Sequence, residues 1–196
     1  MPGRVCLRTR PRLPEGRWLE PRNGQRKAPG DLPGGTAAHR IHLRTLCFIR
    51  DADRVLLLRR RKPPNLGLYN APGGKIEPQE DPYAACLREV YEETGLRLPE
   101  AALRAVITVI TRSTGAQWLL FVFVADRPPT RPDPIATDEG DLSWVSLEDI
   151  AALPVVSDIP LMLPHLFSGT PGILMGKIHC ENDDADSILH YEFRRA

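Results

Sequence analysis

The sequence predicts an α/β fold in which a mixed β-sheet lies between helices. Three observations carry this reading. Apolar, β-prone runs begin abruptly at Leu43, after about forty residues rich in proline and glycine. Among these runs stands one long helical segment, bounded by Asp81 and Gly95. A second and shorter helical segment comes late, from Ile159 to Phe167. Strands interleaved with helices in this way bury their apolar faces as stacked layers.

The first forty residues read as a disordered basic arm. Pro2, Pro11, Pro14, Pro21, Pro29 and Pro33, with many glycines and few aliphatics, bury too little surface to offset chain entropy. Arg4, Arg8, Arg10, Arg12, Arg17, Arg22, Arg26, Lys27 and Arg40 face only Glu15, Glu20 and Asp31 there. A contact with RNA and a dispensable extension both fit such an arm. The whole chain has 196 residues and a formal charge of only +1, which implies no bulk attraction to nucleic acid or membrane. Residues 41–196 then have the length of one domain.

From Leu43 to Ile49 and from Arg54 to Leu58 two strands are expected, joined as a hairpin by Asp51-Ala52-Asp53. Arg59, Arg60, Arg61 and Lys62 follow as a basic cluster that suits either a solvated strand end or phosphate binding. Leu68 to Asn70 forms a short extended piece leading into Ala71-Pro72-Gly73-Gly74. Beyond the long helix, Ala105 to Thr111 and Trp118 to Ala125 read as strands around a turn at Ser113-Thr114-Gly115. Arg127 to Pro134 is too rich in proline for regular structure. A short strand is expected at Leu142 to Val145, then a short helix near Leu147 to Ala151 capped by Ser146. Pro160 and Pro164 should shorten or bend the helix at 159–167. A closing hairpin runs from Ile173 to Cys180 and from Ile188 to Phe193, around the acidic turn Asn182 to Asp186.

Cys6, Cys47, Cys86 and Cys180 are far apart and lack zinc-ligand spacing, so they read as reduced thiols of a cytoplasmic protein. No apolar run reaches membrane-spanning length, and the N-terminus lacks the apolar segment of a signal peptide.

The stretch Gly74 to Leu96, GKIEPQEDPYAACLREVYEETGL, concentrates the chemistry. Asp81 is a good N-cap, Pro82 suits the first helical position, and Gly95 suits a left-handed stop. On this helix Tyr83, Leu87, Val90 and Thr94 are spaced as a core-facing stripe. Glu89, Glu92 and Glu93 fall on a different side, with the small Ala85 and Cys86 beneath them. A solvated charged face is one account of such a cluster. Against it, two carboxylates at roughly 5–6 Å repel by about 3 kcal/mol at an effective dielectric near 20. A hard divalent cation with oxygen ligands relieves that repulsion, as Mg²⁺ does where it joins carboxylates to substrate phosphates. Arg88 lies one turn before Glu92, where the two can pair.

The spacing Gly74, Glu80, Arg88-Glu89-Val90, Glu92-Glu93 and Gly95-Leu96 resembles the Nudix box in every fixed position. The box marks hydrolases of nucleoside diphosphates linked to another group. The resemblance implies a Nudix-type α/β/α sandwich with the box as loop–helix–loop. It also implies Mg²⁺- or Mn²⁺-dependent attack of water on phosphorus, with a nucleotide as substrate. Carried over by residue, Glu89, Glu92 and Glu93 would be metal carboxylates, and the Gly73 carbonyl a further ligand. Glu93, or Glu92 through a water, would be the general base. Arg88 would hold the glutamates in position, while Glu80, with Gly74, would support the loop or an outer metal shell. Lys75 suits either a phosphate contact or an exposed surface.

Substrate choice lies outside the box. Thr111 to Thr114 lack the proline of ADP-ribose enzymes and the tyrosine of the dinucleoside-polyphosphate type, and no coenzyme A signature is present. Leu68 to Lys75 instead resembles the segment before the box in the oxidised-purine nucleoside triphosphatases, the 8-oxo-dGTP diphosphatases. Thr137-Asp138-Glu139, Trp144, Leu153-Pro154 and Asp158 follow in similar order. By that resemblance Asn70 and Asp158 would read the base, although a loop bond for Asn70 and a helix cap for Asp158 account for each residue singly. Ser157 and Val155 depart from the pattern. The alternatives are a broader pyrophosphatase acting on nucleotide sugars, dinucleoside polyphosphates or RNA 5′ ends, and a ligand-sensing module without catalysis.

Overall fold

The computed structural model describes residues 41–63, 65–129, 137–182 and 187–196. The basic arm lies outside these residues, as do most of the proline-rich connection and most of the acidic turn.

Among the described residues eight strands form one sheet: β1 (Ile41–Asp51), β2 (Arg54–Arg60), β3 (Tyr69–Asn70), β4 (Ala102–Thr111), β5 (Gln117–Asp126), β6 (Gly140–Ser146), β7 (Leu174–Cys180) and β8 (Ile188–Arg195). Two α-helices among the described residues accompany them, α1 (Pro82–Thr94) and α2 (Asp158–Leu166). The order is β3-β2-β1-β5-β4-β7-β8, with β6 on the other side of β2. β1 pairs parallel with β5 and β4 parallel with β7, while the remaining pairs are antiparallel, so the sheet is mixed.

Period-two alternation in β1 divides the core into two layers. Leu46 and Phe48 join the cluster that contains Ile159, Met162, Leu163 and Leu166 of α2. Cys47 and Ile49 join the cluster that contains Cys86 and Val90 of α1. The sheet is thus sandwiched between α1 and α2, as the sequence predicts.

β1 and β2 share only two registered pairs next to their turn, Arg50 with Val55 and Asp51 with Arg54. Beyond that point the loop after β3 takes over the free edge of β1. Cys47 N–H donates to Pro72 O at 2.8 Å, Thr45 N–H to Gly74 O at 2.8 Å, and Ile76 N–H to Leu43 O at 3.2 Å. The glycine loop is therefore fixed to the sheet by backbone bonds, which a flexible sequence by itself does not achieve.

Two expectations are corrected. The buried face of α1 is Ala85, Cys86, Val90, Glu93 and Thr94, whereas Tyr83 is exposed and Leu87 half-buried. The helix lies close against β1, where Cys47 meets Cys86, and small side chains suit that approach better than Tyr83. Tyr83 instead packs edge-on against Phe123 at the rim. The helix expected after Ser146 is a single 3₁₀ turn at Ile150–Ala152, following Asp149. Ser146 ends β6, and its Oγ accepts only Glu148 N–H at 3.3 Å.

Candidate active site

Each end of α1 closes as its residues dictate. Asp81 Oδ1 accepts the N–H groups of Tyr83 and Ala84 at 2.8 and 3.0 Å. Gly95 takes the left-handed conformation, with φ of 72°. The helix is thereby fixed in length and delivers four site residues on consecutive turns.

Arg88 is the hub. Its guanidinium donates to Glu80 at 2.9 and 2.8 Å, to Glu89 at 3.0 Å, to Glu92 at 3.0 Å and to the Lys75 carbonyl at 3.0 Å. Glu80 in turn accepts Glu77 N–H at 3.1 Å. The bond from Arg88 holds the Glu80 carboxyl down at about 2. The same carboxylates hold Arg88 firmly protonated. Arg88 and Glu80 thus tie the loop before the helix to the helix itself.

Glu93 stands apart from this network. It is only 6% exposed, and its Oε2 accepts Gly73 N–H at 2.8 Å. Burial, reinforced by the negative charge of Glu89, pushes its carboxyl up to about 7 despite that bond. The glycines leave room for the carboxylates to approach. A Cβ on Gly73, whose φ is 148°, would fall 2.2 Å from the Thr45 carbonyl oxygen. One on Gly74 would fall 2.4 Å from the Glu89 carboxylate.

Among the described residues, no three His, Cys, Asp or Glu side chains are gathered into a ready metal cluster. Glu89 and Glu92 are drawn toward Arg88, while Glu93 is held by Gly73. The donor set nevertheless fits a hard divalent cation. It consists of carboxylates and a backbone carbonyl, and its most buried member is an acid whose ionised form lacks a cationic partner within salt-bridge distance among the described residues.

These residues open onto a cleft of about 680 Å³, a volume suited to a nucleotide. Glu89, Glu92, Glu93, Gly73, Gly74 and Lys75 line it together with Asn70 and Asp158. The structure thus brings all the sequence-predicted site residues except Arg88 and Glu80 to the lining of one cavity, and Arg88 holds Glu89 and Glu92 with Glu80 beside it. Asn70 Oδ1 accepts Ala71 N–H at 2.9 Å, the loop bond considered from the sequence. Asp158 is the first residue of α2, after Ser157 in the cap position. Its Oδ1 is shut off from solvent without a hydrogen-bond partner among the described residues, and burial pushes the carboxyl up to about 6. Lys75 Nζ is exposed and pairs with both Glu77 oxygens at 3.3 Å.

The basic cluster is divided in function. Arg61 pairs with Asp141 at 2.5 Å, Lys62 with Glu139 at 2.7 Å, and Arg59 donates to Gly67 O at 3.2 Å. Only Arg60 of the four lines the cleft. Sequence reasoning missed Arg44 and the role of Trp118, both of which line it too. Period two contains the signal for Arg44, which alternates with Leu46 and Phe48 and so interrupts an apolar strand face.

A family model described as the NUDIX domain matches residues 40–166. The Nudix hydrolase YvcI of Bacillus subtilis is 34% identical over 135 residues, covering 67% of this chain and 82% of that protein. The 8-oxo-dGDP phosphatase of Mus musculus is 36% identical over 78 residues, of which the chain spans only 23% of that longer protein. Among solved structures, a MutT protein from Bacillus halodurans superposes with a TM-score of 0.67 at 28% identity, covering 78% of this chain and 97% of that one. A MutT NUDIX hydrolase from Burkholderia pseudomallei gives a TM-score of 0.59 at 27% identity, covering 65% and 98%.

Proposed function

The chain belongs to the Nudix family, and on that premise we propose that it cleaves nucleoside triphosphates to a monophosphate and pyrophosphate, preferring oxidised purine deoxynucleotides such as 8-oxo-dGTP. Membership makes it a hydrolase acting on pyrophosphate bonds. The substrate reading is supported chiefly by one observation. A single cleft joins the α1 carboxylates to Asn70 and to the buried, unpartnered Oδ1 of Asp158.

Members of this family use divalent metals; Mg²⁺ or Mn²⁺ held by Glu89, Glu92, Glu93 and the Gly73 carbonyl would neutralise phosphate oxygens and acidify the attacking water. Glu93, with its carboxyl near 7, is suited to accept the proton of that water. Glu92 is the alternative acceptor, working through an intervening water. Arg88 keeps Glu89 and Glu92 from drifting, and Glu80 keeps Arg88 in place. At the far end, Asn70 has spent its Oδ1 on Ala71 and meets a base through its Nδ2 donors. The ionised Asp158 carboxyl accepts donors from the purine edge. The buried thiols Cys47 and Cys86 fit a reducing, cytoplasmic setting.

The test is a hydrolysis screen with Mg²⁺ over 8-oxo-dGTP, unmodified nucleoside triphosphates, ADP-ribose, diadenosine polyphosphates and triphosphorylated RNA. The expected result is the highest kcat/KM for 8-oxo-dGTP. A higher value for ADP-ribose or for RNA would reject the substrate reading.

A further inference from the structure

Arg44 has no structural occupation of the kind its neighbours have. Arg50, Arg54 and Arg61 each pair with an aspartate, and Arg88 with three glutamates. Among the described residues no carboxylate lies within salt-bridge distance of Arg44. Its guanidinium instead lies over the Trp118 ring, 5.4 Å from the centroid. It is half-buried, and desolvation lowers its pKa, with the charge of Glu89 opposing that shift and the charge of Arg60 adding to it. A cation kept partly from water without a carboxylate at salt-bridge distance favours a further anion beside it.

Its position in the cleft says which anion. β1 and β5 run parallel with Arg44 beside Leu120 and His42 beside Trp118, so Arg44 shares the wall that carries Trp118 and Leu120. On the other side its backbone bridges Lys75, next to Gly74, and the Glu89 carboxylate is the strongest favourable charge acting on it. Arg44 therefore stands where the apolar wall meets the carboxylates. In a nucleotide that spans both, the group at this junction is the phosphate attached to the sugar.

We propose that Arg44 is a substrate-positioning residue that binds the phosphate adjoining the nucleoside, while Trp118, stacked on His42 with ring centroids 4.4 Å apart, lines the wall beside it. This deepens the nucleotide reading above and rests on it. The guanidinium presents paired donors to two phosphate oxygens, and the Trp118 face limits where it can turn.

Binding of the product separates this from a structural role and needs no metal. Isothermal titration in EDTA compares 8-oxo-dGMP with its nucleoside, 8-oxo-deoxyguanosine, on wild type, Arg44→Gln, Arg44→Lys and Trp118→Leu. In wild type the monophosphate should bind about ten- to a hundredfold tighter than the nucleoside, the usual gain from a charge-assisted bond. Arg44→Gln should bring that ratio close to one with nucleoside affinity unchanged, and Arg44→Lys should restore part of it. Trp118→Leu should weaken both ligands by the same factor. In turnover, Arg44→Gln should raise KM for the triphosphate with little change in kcat.

A full wild-type ratio in Arg44→Gln overturns the proposal while leaving the nucleotide reading intact. An equal loss of both ligands in Arg44→Gln and Arg44→Lys also overturns it, because that pattern marks a structural arginine. Wild-type protein that binds neither ligand and hydrolyses no nucleoside triphosphate overturns the nucleotide reading, and this proposal with it.

Discussion

Glu93 is the residue on which stability and the proposed chemistry oppose each other. Its folded carboxyl is pushed from its ordinary value of 4.5 up to about 7. A raised carboxyl favours the folded state fully below its unfolded pKa, and that contribution is lost as pH rises through 7. Ionised at pH 8 without metal, Glu93 should cost the fold on the order of 3 kcal/mol, since one unit is about 1.4 kcal/mol. Metal-free Glu93→Gln is therefore expected to melt above wild type at pH 8 and level with it at pH 4. Added Mg²⁺ should narrow the gap at pH 8 by stabilising the wild type more. The same variant should lose about a hundredfold or more in turnover. Equal melting temperatures at both pH values would show that burial does not control this carboxyl, and near-wild-type turnover would remove Glu93 from the chemistry.

At the scale of elements, α1 is specified by local chemistry and then aimed by non-local contacts. The cap, the proline and the terminal glycine all act within a few residues of themselves, so the sequence alone locates the helix. Asp81→Ala removes two bonds to Tyr83 and Ala84 and is expected to cost about 1 kcal/mol, seen as a fall of about 2–4 °C in melting temperature. Because Glu89 to Glu93 lie about two to three turns away, kcat should hardly change. A large loss of kcat would mean that the helix frays as far as the carboxylates. The buried side of the same helix was only half legible in its spacing: Val90 and Thr94 are buried as the stripe predicts. Tyr83 and Leu87 have the right period, but Ala85 and Cys86 are the residues small enough to lie against β1. Close packing chose the smaller face.

For the whole molecule, residues 41–196 hold the sheet, both helices and the cleft, and we propose that they form the catalytic unit. No helix among the described residues is long and apolar enough to cross a membrane. Deleting residues 1–40 is expected to leave kcat/KM within about twofold, as steady-state assays would measure. Retention on RNA that falls with added salt and disappears on the deletion would give the basic arm a role of its own. A drop in catalysis of tenfold or more would extend the active unit into the arm. The fold itself was readable because alternating strands and capped helices carry their own periods. The 3₁₀ turn at Ile150–Ala152 was less so, since a serine before two acidic residues signals a cap whether or not a full helix follows.

The sequence by itself determined the carboxylate helix, the glycine loop bound to it, and the alternation that sorts β1 between two cores. Each is a matter of residue type at short spacing, where local sterics, hydrogen bonding and charge act directly. Only the tertiary structure decided what faces those carboxylates across the cleft. Arg44 and Trp118 are 74 positions apart and meet because β1 and β5 pair in parallel, a register that neither strand encodes alone. Asn70 and Asp158 come to the same cavity from a loop and from the start of α2. The carboxylates are placed locally; the wall that faces them is assembled from distant strands, because it depends on sheet order.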